Sequence, residues 1–302
     1  MDRGKKKVTI SSKLQELRME SDWDEFKQLA KLMAMRQAPD GTYYLGNWWR
    51  GPLLYALVGH YKPMNVLEFG TGRGYGAISM AKASLDQGFE CTIWTIDRVS
   101  PLAPQPWPID EGEEPALKCL SLREVWEKYL PVEVRERIHC PTGDSLRVMR
   151  RWKRSGLPQI DFFFIDGGHD YWTVKHDFIA ALQVANPGAI FVFDDYGARQ
   201  GYGVKPLIDK EAAPKCPNSV EIIDTFAEQA RPPSEGRVEH RMAIVDTKGI
   251  PNLLTHFYSE AYAKRFMVTY FLLNMGRNAM AIRRRIARSG IRMAGVRRQD
   301  GK

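Results

Sequence analysis

Two short stretches hold side chains that could do chemistry together. FIDGGHDY (164–171) carries Asp166, His169 and Asp170, and FVFDDY (191–196) carries Asp194 and Asp195. In each, an apolar run of strand character leads into the acids, so both clusters belong at the carboxyl end of a sheet. Carboxylates brought together repel one another unless protons or a cation intervene. Oxygen-only donors suit a hard divalent ion such as Mg²⁺, which makes Asp166, Asp194 and Asp195 candidate metal ligands. A solvated set of loop acids, one of them touching a cofactor, is the competing reading. His169 has the titration range of a general base. Asp170 is well placed to cap a helix beginning at Tyr171.

A second constellation is the glycine loop NVLEFGTGRGYGA (65–77). Gly70, Gly72, Gly74 and Gly76 remove Cβ atoms where a ligand must approach the backbone, and the following helix offers free N–H groups. Asp97 ends the next apolar run, where a carboxylate can accept hydrogen bonds from ribose hydroxyls. The dinucleotide pattern G-x-G-x-x-G/A can be laid on Gly72, Gly74 and Ala77. The pattern E-x-G-x-G-x-G is met in full by Glu68, Gly70, Gly72 and Gly74.

These groups need a scaffold. Apolar segments at 64–69, 91–96, 136–140, 160–165 and 188–193 alternate with helical stretches at 75–86, 121–130, 145–154 and 171–185, a pattern that indicates a parallel sheet covered on both faces. Further strands are expected at 219–223 and 238–246. The three- and four-residue spacing of Leu14, Leu17, Trp23, Phe26, Leu29 and Leu32 predicts a helix over 12–36, and 52–61 reads as a short buried helix. The Pro- and acid-rich segment 98–116 reads as an inserted surface loop.

On Glu68, the glycines and Asp97, the sequence resembles the class I S-adenosylmethionine-dependent methyltransferases. The resemblance implies a Rossmann-like α/β fold, a doubly wound, mostly parallel seven-stranded sheet with helices on both faces. It implies that Glu68, Gly70, Thr71, Gly72, Gly74, Asp97 and Asp166 serve the cofactor, with Asp144 and Ser145 of TGDS (142–145) near its adenine. The wider pattern FIDGGHDY…VKHDF…NPGAIFVFDDY resembles the macrocin- and novobiocin-type sugar O-methyltransferases and the cephalosporin-biosynthesis methyltransferases. That branch implies a metal at Asp166, Asp194 and Asp195 that orients acceptor hydroxyls. Where those enzymes carry an acidic base this chain has Gly168, which leaves His169 as the base. The implied activity is O-methylation of a sugar-containing or other small intermediate. An NAD-dependent oxidoreductase and a non-catalytic membrane-surface adaptor are the competing classes.

Three segments are expected: a helical cap or lid (1–50), the cofactor-binding domain (51–249) and a helical extension with a basic tail (250–302). The lid contains Tyr43, Tyr44, Trp48, Trp49 and Arg50, which could hold a ring or clamp an anion. Residues 277–302 hold nine of the 44 basic residues and one acid, so the tail accounts for the whole net charge of +8 and the rest of the chain is balanced. The core therefore gives no sign of nucleic-acid binding. The tail reads as a basic amphipathic helix able to touch an anionic membrane surface, and apolar 266–275 as a possible oligomer contact. Four scattered cysteines and the lack of an apolar leader point to a cytoplasmic protein.

Overall fold

Ile160–Ile165 is six residues with one polar side chain, and Phe162, Phe163 and Phe164 are all fully buried. Such a run suits a strand covered on both faces. It lies in the middle of the sheet in the computed structural model, which describes residues 5–19, 22–112, 114–197, 201–225 and 240–276.

The chain begins with β1 (Lys5–Thr9), α1 (Ile10–Glu16) and α2 (Trp23–Met33), then the hairpin β2 (Met35–Gln37) and β3 (Tyr43–Leu45) and helix α3 (Arg50–Tyr61). Next come β4 (Asn65–Phe69), α4 (Tyr75–Asp86), β5 (Thr92–Ile96), and the hairpin β6 (Gln105–Ile109) and β7 (Ala116–Leu120). α5 (Leu122–Tyr129), α6 (Val132–Glu136), β8 (Ile138–His139) and α7 (Ser145–Trp152) precede β9 (Ile160–Ile165), α8 (Tyr171–Leu182) and β10 (Ala185–Phe193). The described chain continues through α9 (Val204–Leu207), α10 (Ala213–Lys215), β11 (Val220–Asp224), β12 (Arg241–Asp246) and α11 (Leu253–Phe257).

The central sheet has the order β1-β11-β12-β10-β9-β4-β5-β8, and β12 alone runs against the others. All parallel strands therefore present their carboxyl ends on one edge, where ligands of open α/β sheets bind. Phe163 and Phe191 stack across the β9–β10 pair at 4.7 Å. Asp170 ends the β9 turn by capping α8, its Oδ1 accepting the N–H groups of Trp172 and Thr173.

Three expectations need correction. The sheet has eight strands rather than seven, because β1 joins its edge parallel to β11. KKKVT lacks an apolar signature, and its lysines find acids instead: Lys5 pairs with Asp209 at 2.7 Å and Lys6 with Glu221 at 3.1 Å. The helix expected over 12–36 is two helices, broken where Arg18 takes a left-handed φ of 52°, the second starting on the Asp22 cap. Segment 98–116 is no open loop, since β6 and β7 pair across it and Trp107 is fully buried, its Nε1 donating to the Leu32 carbonyl at 2.8 Å. Prolines at 106 and 108 mask the strand in sequence, yet an isolated two-stranded ribbon has an open edge that needs no donor from them.

The chain divides into two compact units after Phe257. The second contains a helix over 260–276 that exposes Val268, Leu272, Leu273 and Met275. Among the described residues no helix is long and apolar enough to cross a membrane. The tail helix expected in 277–302 lies outside the described residues.

Candidate active site

Between β4 and α4 the glycine loop needs its glycines for different reasons. Gly70 has φ +93°, and a Cβ there would lie 2.2 Å from the Asp166 carbonyl oxygen, so the loop and the end of β9 touch backbone to backbone. Gly72 has φ +52° and open space where its Cβ would be, which bares the main chain to a ligand. Gly74, also left-handed, starts α4 beneath the Trp126 indole. The Thr71 hydroxyl turns inward to Thr95 at 2.6 Å.

Glu68 is fully buried under the first turn of α4, where it accepts from the Thr95 hydroxyl and the Ala77 N–H. Burial pushes its carboxyl up to about 8 against those donors. Its Oε1 lies 2.3 Å from where a Cβ on Gly76 would sit, and the residue also lines the cavity. Asp97, at the end of β5, accepts the N–H of Gly72 and of Val99, each at 2.9 Å, and its remaining lone pairs are available to ribose hydroxyls. Gly143 and Ser145 line the cavity, whereas Asp144 turns to Leu146 N–H at 3.0 Å and to Arg98. The Ser145 hydroxyl donates to buried Asp177 at 2.8 Å.

The strand ends behave otherwise than expected for a metal site. Arg50, the first residue of α3, sends Nη1 between two of the acids, 2.9 Å from Asp166 Oδ2 and 3.2 Å from Asp194 Oδ2. Burial works against its charge, but Asp166 and Asp194 outweigh it and hold the guanidinium protonated. Burial, with Asp194, Asp195 and Glu68 nearby, pushes the Asp166 carboxyl well above the usual range despite Arg50. One cation facing two carboxylates leaves one negative charge over. Asn47 adds a long contact to Asp194 Oδ1 at 3.4 Å.

Asp195 points elsewhere, toward His169. Among the described residues no group of three His, Cys, Asp or Glu side chains is arranged to hold a metal ion. The Mg²⁺ site expected at Asp166, Asp194 and Asp195 therefore does not fit: a protein cation already fills the gap between two ligands, and the third is engaged with histidine. Nothing in the sequence spacing signals that Arg50, 116 residues before Asp166, takes that place.

His169 follows the glycine pair after β9. Its Nδ1 lies 3.2 Å from Asp195 Oδ2, and its ring stacks on Tyr202 at 4.7 Å and 7°. Asp195 holds a left-handed φ of 59°, which aims its carboxylate back at the imidazole. Such an outlier in a non-glycine residue persists where the surroundings enforce it. With Nδ1–H donated to Asp195, Nε2 carries the lone pair. Tyr202 escaped the sequence reading because it acts only through a loop folded back so that Gly203 N–H donates to the His169 carbonyl at 2.7 Å.

The glycine loop, Asp97, Asp166, Asp194, Asp195 and His169 all line one cavity of about 750 Å³, within the range of small-molecule sites. A mostly parallel sheet with one reversed strand, a glycine loop bared to that cavity and an acid closing the next strand make a Rossmann-like α/β fold with a ligand cavity at its strand ends. The family comparison gives the particular match: residues 67–196 fit the family model of a methyltransferase domain. No curated protein matches the sequence. Among solved structures, the O-methyltransferase from Bacillus cereus in complex with SAH is 20% identical, with a TM-score of 0.46 over 78% of this chain and 96% of that chain. The O-methyltransferase TomG from Streptomyces achromogenes, involved in tomaymycin synthesis, is 18% identical, with a TM-score of 0.48 over 79% and 95%.

Proposed function

We propose that the protein transfers the methyl group of S-adenosylmethionine to a hydroxyl of a small acceptor, with His169 as general base and without a metal. The observation that carries this reading is the His169–Asp195 pair in the same cavity as the glycine loop. A hydroxyl must lose its proton as the new bond forms, whereas a neutral amine already has its lone pair, so a poised base favours oxygen. The bare main chain at Gly72 and the carboxylate of Asp97 would hold the cofactor, with Gly70 and Gly74 shaping the turn. When bound, the cofactor supplies an electrophilic methyl on a sulfonium. The residues of the chain do the rest. His169 Nε2 takes the acceptor proton, Asp195 steadies the imidazolium, and Arg50 with Asp166 and Asp194 fixes the floor of the site. Products are the methyl ether and S-adenosylhomocysteine.

Calorimetry with S-adenosylhomocysteine tests the cofactor, and labelled methyl transfer to a panel of hydroxylated small molecules tests the reaction. NADH binding in place of S-adenosylhomocysteine would move the reading to an oxidoreductase. Acceptors such as sugars fit the polar cavity walls, and a cytoplasmic setting fits the chemistry.

A further inference from the structure

The acids lining the cavity all have partners. Asp97 accepts from Gly72 and Val99, Asp166 and Asp194 share Arg50, Asp195 meets His169, Asp170 caps α8, and Asp177 takes Ser145 and His176. Two arginines of the same lining differ. Arg36, on β2, and Arg73, in the glycine loop, both line the cavity. Arg73 donates to the Met35 carbonyl and lies 5.5 Å over the Trp107 ring. Among the described residues no carboxylate pairs with either guanidinium. Burial first, then the like charges of Arg36 and Arg50, lower Arg73 to about 10. A cation pressed against cations in a recess costs free energy unless a ligand brings the counter-charge.

We propose that Arg36 and Arg73 bind a carboxylate or phosphate of a ligand in this cavity, and that the group belongs to the acceptor, an anionic hydroxy compound. The assignment to an acceptor rests on the methyltransferase reading. Guanidinium forks match the planar, multi-oxygen face of both anions. The cofactor's own α-carboxylate is the other source of that chemistry, and the experiment separates the two.

S-adenosylhomocysteine is first titrated into the wild type, which tests the methyltransferase reading alone. Inorganic phosphate is then titrated into the saturated protein. Millimolar binding is expected, weakened about tenfold or more in Arg36→Gln and in Arg73→Met, with S-adenosylhomocysteine affinity unchanged in both. Because Arg36 is exposed, its variant reads the site even where Arg73→Met fails to fold. Weaker S-adenosylhomocysteine binding in the variants, with unchanged binding of 5′-methylthioadenosine, which lacks the carboxylate, would give the anion site to the cofactor and overturn the acceptor assignment. Phosphate that fails to bind the saturated wild type, or binds both variants equally, would overturn the site itself.

Discussion

Replacing Arg50 by methionine keeps most of the side-chain length and removes the charge that faces Asp166 and Asp194. Asp194 is buried and Asp166 half-buried, with side chains 5% and 15% exposed. Taking one partner from a buried pair costs about 3–5 kcal/mol, because the charge left behind is uncompensated. Proton uptake relieves part of that cost, each tenfold gain in proton affinity being worth about 1.4 kcal/mol. The sign follows from Asp166, whose folded-state carboxyl is already raised and rises further without the guanidinium. A raised carboxyl contributes its stability below the ordinary carboxylate range and loses it as pH climbs through the raised value. The deficit of Arg50→Met should thus grow as pH rises from 5 to 8. At about 2–4 °C per kcal/mol for a domain of this size, the full loss lowers Tm by roughly 6–20 °C. Thermal melts of Arg50→Met, Asp166→Asn and the double variant, each from pH 5 to 8, measure it. The amide in the double variant leaves one carboxylate and should recover more than half of the loss. A single variant that melts like the wild type at pH 8, or shows one deficit at every pH, would refute the bridging role given to Arg50.

Other expectations are as direct. Glu68→Gln removes a carboxyl held at about 8 by burial, so urea unfolding should show the wild type losing about 4 kcal/mol relative to the variant between pH 5 and pH 8; parallel pH profiles would sink the claim that Glu68 is neutral in the fold. His169→Ala should lower kcat by about 10²–10⁴ once an acceptor is known, with S-adenosylhomocysteine affinity unchanged, and Asp195→Asn, whose amide tolerates the left-handed backbone, should lower it less and shift the pH profile. Asp97→Asn should weaken S-adenosylhomocysteine about 10- to 150-fold in calorimetry. Added Mg²⁺ and EDTA should leave both cofactor affinity and the melting temperature of the wild type where they are; a melting temperature that climbs with Mg²⁺ would restore the metal site.

The parallel core was legible because its strands announce themselves: FFFI and FVF are apolar without alternation, and amphipathic stretches separate them. The cavity-lining positions of Gly72, Asp97 and His169 were legible too, since the sheet topology sends every strand end to one edge. What escaped was set by partners far along the chain. Lysines 5–7 look like solvent and become a strand through acids at 209 and 221. Pro106 and Pro108 look like a loop and pair with β7. Three aspartates have the composition of a metal site, and composition says nothing about an arginine arriving between two of them or about the backbone of Asp195 turning its carboxylate toward His169.

The edge position of β1 also sets an order of assembly. Its pairing begins with Lys5 opposite Val220, more than two hundred residues later in the chain. At about 5–20 residues per second of synthesis, the partner strand follows roughly 10–40 s behind. Until then β1 has no strand to join, and its run of like charges keeps it soluble and guards it from pairing with a neighbouring chain. A strand made early is thus among the last to find its place, and a truncated chain lacking β11 would emerge with β1 still waiting.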